Sequence, residues 1–176
     1  MEAVQPDYQE VIDQALDLVY SHHHRLVSQL HPPAFQSLSR DQLRLGPLGR
    51  DLQRLSALAR GEAREPKERV LSAIDSVVQL LFWPAAADDY TVPRSFWDTE
   101  LGRMMALAKY RAYDPSELVS IGNAAQQLGV TRPTIYRWMD ERTLNYVRDD
   151  MSGRTFVVRR DIDNLRRVAS EASGQD

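Results

Sequence analysis

Cysteine is absent from the 176 residues of this chain. Its absence excludes disulfides, thiolate nucleophiles and metal sites built from thiolates. The sequence also has no apolar run near the roughly 18 residues needed to span a bilayer. Its N-terminal residues, MEAVQPDYQE, lack the basic and apolar regions of a signal peptide. We therefore expect a cytoplasmic protein that has no contact with membranes.

Catalytic and cofactor motifs are also missing. The sequence has no glycine-rich phosphate loop, no nucleophile elbow and no paired carboxylates in a recognisable setting. Three consecutive histidines occur in SHHHR, residues 21–25, but neighbouring side chains of a helix diverge and cannot meet at one metal ion. We expect no enzyme activity and no bound metal or cofactor, and we interpret these histidines as structural or pH-responsive.

A net positive charge is lacking over residues 1–119, which hold 13 basic and 17 acidic residues, and is found only nearer the C-terminal end. The whole sequence has a net charge of −3, whereas residues 120–167 hold nine basic and six acidic residues, a net charge of +3. All nine basic residues are arginines, whose planar guanidinium groups bind phosphates or guanine edges through two hydrogen bonds. This segment is therefore compatible with contact to nucleic acid.

Apolar residues spaced three and four apart predict helices in the first two-thirds of the chain. The second helical stretch is expected to break at Gly46. The four predicted stretches cover residues 6–30, 39–61, 66–83 and 94–113. The predicted fold class is mainly α, with an N-terminal helical bundle over residues 1–113. Trp83, Tyr90 and Trp97 either pack in a core or dimer interface or line a ligand pocket.

Beyond the bundle, the predicted elements become shorter. Ser120 is placed to cap a helix over residues 121–128, and Gly129 supplies the left-handed residue that ends it. Thr131 is placed to cap a second helix over residues 132–142. The predicted inward side chains of this second helix are Ile135, Trp138 and Met139.

From residue 144 the apolar period changes towards two, which is typical of strands. The segments NYVRDD and RTFVV, separated by MSG, predict a β-hairpin in which Gly153 takes a positive backbone angle. Asp161 is placed to cap a last helix. The sequence therefore predicts a second, small domain over residues 114–170, followed by a tail over residues 171–176.

This succession of helix, tight turn, helix, hairpin and helix resembles the winged helix-turn-helix domain of the MerR/excisionase type. The resemblance covers residues 120–168 and combines AAxxLGVTRxTIYRW with a hairpin and an Asp-Ile pair near the start of the last helix. The matching residues are Ile121, Ala124, Ala125, Leu128, Gly129, Val130, Thr131, Arg132, Thr134, Ile135, Tyr136, Trp138, Leu144, Arg154, Val157, Arg160, Asp161 and Ile162.

The resemblance implies that the second short helix lies in the major groove of double-stranded DNA, with the hairpin as a wing beside it. Helical geometry agrees, because burial of Ile135 and Trp138 leaves the opposite side of that helix for DNA. The candidate DNA-binding residues are Thr131, Arg132, Pro133, Thr134, Tyr136, Arg137, Arg142, Arg148 and Arg154.

Different roles are expected for these candidates. Thr131 and the amides beside it are placed to bind a phosphate at the N-terminus of the helix, where the helix dipole favours an anion. Arg132 and Arg137 are candidates for contacts to base edges. Arg148 and Arg154 are expected to contact the DNA backbone or the minor groove from the wing.

Three candidates have alternative interpretations. Tyr136 either touches DNA or packs against the wing, and Arg137 either binds DNA or pairs with Asp140 or Glu141. Arg142 occupies a region where proteins of the resembled family commonly have a glycine. Either Arg142 accepts a strained backbone angle or the helix ends differently. Arg142 is also a candidate for an additional phosphate contact.

The expected function is sequence-specific DNA binding by a transcriptional regulator. One small winged domain buries too little DNA surface for tight specific binding, so a homodimer is expected. The helical bundle would dimerise, sense a signal or bind a partner protein. Two alternatives are an excisionase-like architectural factor that bends DNA and an antitoxin-like autorepressor whose N-terminal helices bind a partner protein.

Overall fold

The computed structural model describes residues 7–30, 39–82 and 90–173. They belong to two compact units, which divide between Ala112 and Tyr113, one residue before the predicted position. The fold is mainly helical, as predicted, with one small antiparallel sheet. Trp83 and most of the predicted loop after it lie outside the described residues. Among the helices that are described, none is long and apolar enough to cross a membrane.

All the regular secondary structure described in the first unit is helical. Its elements are α1 (Tyr8–Leu30), α2 (Arg40–Leu45), α3 (Pro47–Arg60), α4 (Lys67–Phe82), a 3-10 helix (Arg94–Asp98) and α5 (Glu100–Ala112). Gly46 separates α2 from α3, as predicted. The continuous helix predicted over residues 94–113 is wrong. Thr99 interrupts it, because its hydroxyl oxygen accepts a hydrogen bond from the Gly102 amide at 3.1 Å and starts a new helix.

One apolar core joins the helices of the first unit. Among the described side chains of α1, the buried ones end at Leu16, and Val19 packs against the core while partly buried. Tyr90 and Trp97 are partly buried and pack against the core. Of the alternatives left open for these two aromatic residues, the structure therefore agrees with core packing. The fully buried side chains of this core include Leu52, Leu55, Val70 and Met104.

The second unit combines three helices with a small sheet. A 3-10 turn (Pro115–Glu117) leads into β1 (Leu118–Ser120), α6 (Ile121–Leu128), α7 (Arg132–Asp140), β2 (Tyr146–Asp149), β3 (Arg154–Val158) and α8 (Arg159–Ser173). The sheet order is β1-β3-β2, and both pairs are antiparallel. Helix α8 continues to Ser173, so the tail predicted from residue 171 is in part helical.

The sheet has one more strand than the predicted hairpin. In β1, Val119 lies opposite Val157 and is buried beside it. The strand is only three residues long, so it shows no recognisable alternation of apolar and polar side chains. It also ends at Ser120, whose hydroxyl oxygen caps α6 by accepting from the Asn123 amide at 3.3 Å. The segment before α6 thereby ties that helix to the sheet.

Asp161 does not cap the last helix, and that prediction is wrong. Helix α8 begins directly after β3, at Arg159, so Asp161 already lies in its first turn. Its carboxylate instead accepts hydrogen bonds from the backbone and side-chain nitrogens of Asn145, at 2.8 and 2.9 Å. The start of the hairpin is thereby fastened to α8.

A second apolar core holds these elements together. Ile135 of α7, Leu144 after that helix, and Ile162 of α8 are each at most 1% exposed. Ala124 and Ala125 supply the small side chains that allow α6 to approach them. The unit therefore has its own core, built from residues that follow one another closely in sequence.

Helices α2 and α3 approach each other closely at Gly49. A Cβ atom at this position would lie 1.9 Å from the carbonyl oxygen of Arg44, which is far inside van der Waals contact. Since that oxygen belongs to the backbone, α2 and α3 would have to separate to admit any other residue.

We expect Gly49→Ala to lower the free energy of unfolding by about 1–3 kcal/mol, because overpacking displaces the backbone. Urea unfolding followed by circular dichroism measures this change. Arg50→Ala, at the exposed neighbouring position, is the matched control and should change stability by less than about 0.5 kcal/mol. Equal stability of the two variants would contradict the close approach.

Candidate nucleic-acid interface

A tight turn joins α6 to α7. Gly129 ends α6 with a left-handed backbone, φ 66°, as predicted. Its amide donates to the Gln126 carbonyl oxygen at 3.3 Å, and the Val130 amide donates to Ala125 at 3.0 Å. These two hydrogen bonds form the Schellman arrangement that commonly closes a helix. They direct the chain into α7 after only three residues.

Helix α7 has one buried and one exposed face. Ile135 is fully buried and Met139 is 9% exposed, both as predicted, while Trp138 is partly buried against the same core. The opposite side carries Tyr136, which is 50% exposed, and Arg137, whose side chain is 65% exposed. The face predicted to contact DNA therefore lies on the protein surface.

The N-terminus of α7 differs from the predicted cap. Thr131 has the extended backbone of a capping residue, but its hydroxyl makes no capping hydrogen bond and lies 3.0 Å from the Thr134 hydroxyl. The amides of Thr134 and Ile135 both donate to the Thr131 carbonyl oxygen, and Pro133 has no N–H. This helix end therefore offers fewer free amides to a phosphate than predicted, and two hydroxyl groups instead.

Arg132 extends towards α6. A Cβ atom at Gly122, in the first turn of α6, would lie 3.1 Å from the Arg132 Nη2 atom. The guanidinium group is thus beside the N-terminal turn of α6, whose partial positive charge also favours anions. This position joins the beginnings of the two helices into one electropositive region.

Arg137 makes only a loose ion pair. Its Nε atom lies 3.8 Å from Oε1 of Glu141, one helical turn further on, and both side chains are more than half exposed. The pairing with Glu141 that the sequence left open is therefore present. Exposed pairs of this kind contribute little to stability, so the contact is easily exchanged for another anion or a base edge.

The hairpin places its two arginines on different strands. Val147 faces the core at 1% exposure, so Tyr146 and Arg148 point to the other side of the strand. Arg148 lies 3.9 Å from Asp150, measured from Nε to Oδ1. Arg154 begins β3 and is the register partner of Asp149. Each arginine of the hairpin is therefore close in sequence or register to a carboxylate.

Two aspartates occupy the tip of the hairpin, which sequence reasoning did not consider. The Asp149 carboxylate accepts from the Met151 amide at 3.1 Å and from the Ser152 hydroxyl. Gly153 then takes a positive φ of 68°, as predicted. Asp149 therefore closes the turn, and the tip carries negative charge that would repel a phosphate.

The end of α7 explains Arg142. The helix ends at Asp140, two residues earlier than predicted, and Arg142 has φ 59°. Of the two alternatives left open by the sequence, the strained backbone angle is thus the one adopted. The Arg142 amide donates to Met139 at 3.2 Å and the Thr143 amide to Trp138 at 2.9 Å, which is again a Schellman arrangement.

Comparisons with known proteins do not assign the chain to a family. No family model, curated protein or solved structure matches it. Within residues 7–30, 39–82 and 90–173, no group of three or more histidine, cysteine or acidic side chains is arranged to hold a metal ion. The geometry and charge of the second unit are the features that bear on function.

We expect Asp161→Ala to loosen the hairpin, because the two hydrogen bonds from Asn145 are lost. The free energy of opening β2 and β3 should fall by about 1–2 kcal/mol, as for hydrogen bonds to a charged group in a partly exposed position. Hydrogen exchange of the strand amides measures it. Asp163→Ala, at an exposed position of the same helix, should leave that exchange unchanged. Identical exchange in both variants would refute the fastening role.

Proposed function

We propose that this chain is a sequence-specific double-stranded DNA-binding protein, specifically a transcriptional regulator, and not an enzyme. In this proposal, residues 114–170 form a winged helix-turn-helix domain of the MerR/excisionase type. The observation that supports it most strongly is the exposed face of α7. Burial of Ile135 fixes the rotation of this helix, and the turn at Gly129 sets it against α6.

The dimensions of α7 suit the major groove. The helix has nine residues and is therefore about 13 Å long. An α-helix with its side chains is about 10–12 Å wide, and the major groove of B-DNA is about 12 Å wide. Helix α7 would enter the groove with Tyr136 and Arg137 towards the base edges.

The surrounding side chains would hold the helix in register. Arg132 is better placed for a phosphate than for a base, because its guanidinium lies beside the first turn of α6. The hydroxyl groups of Thr131 and Thr134 would contact the same strand, with Pro133 between them. Arg148 and Arg154 would contact the backbone from the sides of the hairpin, since its acidic tip is unsuited to a phosphate.

A moderate electrostatic contribution follows from this charge distribution. Residues 120–167 carry a net charge of only +3, and part of the arginine charge is opposed by nearby carboxylates. Nonspecific binding, which depends on phosphate contacts, should then be weak at physiological salt. Two copies of the domain would overcome this limit, so the proposal includes a homodimer.

The first unit would dimerise, sense a signal or bind a partner protein.

The experiment that tests this function replaces Arg137 in the full chain. Arg137→Ala should weaken binding to the preferred duplex by about 1–3 kcal/mol more than binding to random-sequence duplex, because a base contact discriminates between sequences. Arg137→Lys is the matched control. It keeps the charge but lacks the planar fork, so it should preserve nonspecific binding and still reduce specificity. Fluorescence anisotropy of labelled duplexes measures both affinities.

Two results would count against this assignment. Equal losses on the preferred and random duplexes would show that Arg137 contacts only phosphate. A parent chain that binds neither duplex, even at low salt, would remove DNA binding as the function.

A further inference from the structure

Arg142 is the only non-glycine residue with a positive φ in the described parts of the chain. Residues with a Cβ atom are strained in the left-handed region, and glycine is not. The second unit itself provides the comparison, since Gly129 occupies the equivalent position of the same Schellman arrangement at the end of α6. The two helix ends therefore differ at the left-handed residue, which is a glycine in one and an arginine in the other.

The fold requires the left-handed conformation at Arg142. Leu144 follows only two residues later and is 1% exposed, so the chain must reverse sharply into the core. Its amide donates to the Trp138 carbonyl oxygen at 3.1 Å, together with the amide of Thr143 at 2.9 Å. Because three consecutive amides are held in this turn, Arg142 has no other backbone conformation open to it. A glycine would adopt it without strain.

The location of Arg142 suits a phosphate contact. It follows the C-terminus of α7, whereas Arg132 is the first residue of that helix, and both side chains are exposed. The helix between them is about 13 Å long. The major groove is about 12 Å wide and is bordered by one phosphate backbone on each side. Cations at the two ends of a helix that lies in this groove are therefore placed beside phosphates.

We propose that Arg142 is a phosphate-binding residue whose charge is retained at a cost in stability. Resting on the proposed DNA-binding function, this inference assigns Arg142 to a backbone phosphate beyond the C-terminal end of α7, separate from the phosphate contacted by Arg132. It predicts that stability and DNA binding change in opposite directions when a glycine is introduced at Arg142. The competing explanation is that the cation serves the C-terminal dipole of α7, in which case only stability would change.

Variants of the full chain separate backbone strain from charge. Arg142→Gly removes both, Arg142→Ala removes the charge and keeps the strain, and Arg142→Lys keeps both. Relative to Arg142→Ala, Arg142→Gly should slow hydrogen exchange of the α7 amides by about fivefold, because the native state gains stability. Gly129→Ala is the matched control for strain. No atom lies within 4 Å of its new Cβ, so it should accelerate exchange through the backbone alone.

Binding of each variant to random-sequence duplex is then measured as a function of salt concentration. Arg142→Gly and Arg142→Ala should both lower the salt slope of the binding constant by about 1, while Arg142→Lys and Gly129→Ala should keep the parent slope. The inference is overturned if Arg142→Gly binds with the parent slope, or if the glycine and alanine variants exchange at the same rate. A parent chain that fails to bind duplex would instead remove the proposed function, and this inference with it.

Discussion

Burial of Ile135 is the contact on which the second unit depends. This side chain is fully enclosed by residues of α6, α8 and the sheet, so it fixes the rotation of α7 about its axis. Helical geometry then determines which residues face outward, and Tyr136 and Arg137 are among them. A surface that could enter a DNA groove is therefore a consequence of core packing, not of any contact made by the arginines themselves.

Burial of Leu144 imposes the next constraint. Because this residue must return to the same core four residues after α7 ends, the chain turns through a left-handed residue at Arg142. The adjoining Asn145 is then held by Asp161 of α8. Helix α7 and the hairpin are thus joined by a short connection that hydrogen bonds hold at Arg142 and Asn145.

Several turns and helix ends could be predicted because they depend on local chemistry. Gly129 and Gly153 adopt the expected positive angles, and Ser120 caps α6 through its hydroxyl. The two failed caps have different causes. Asp161 accepts from Asn145, a tertiary contact before β2, and Thr131 approaches Thr134, a local alternative to the backbone-amide cap. Strand β1 is too short to show a period, although its pairing with β3 completes the sheet. The DNA-binding role itself stays a prediction.

Selection of bound duplexes from a random library, using the full chain, tests whether the exposed face of α7 reads DNA sequence. We expect enrichment of a short motif that occurs twice in the selected duplexes, because one α7 reads few base pairs and two copies are needed for tight binding. The spacing and orientation of the two motifs would report the symmetry of the dimer. Recovery of duplexes without any shared motif would contradict the claim that the exposed face of α7 reads sequence.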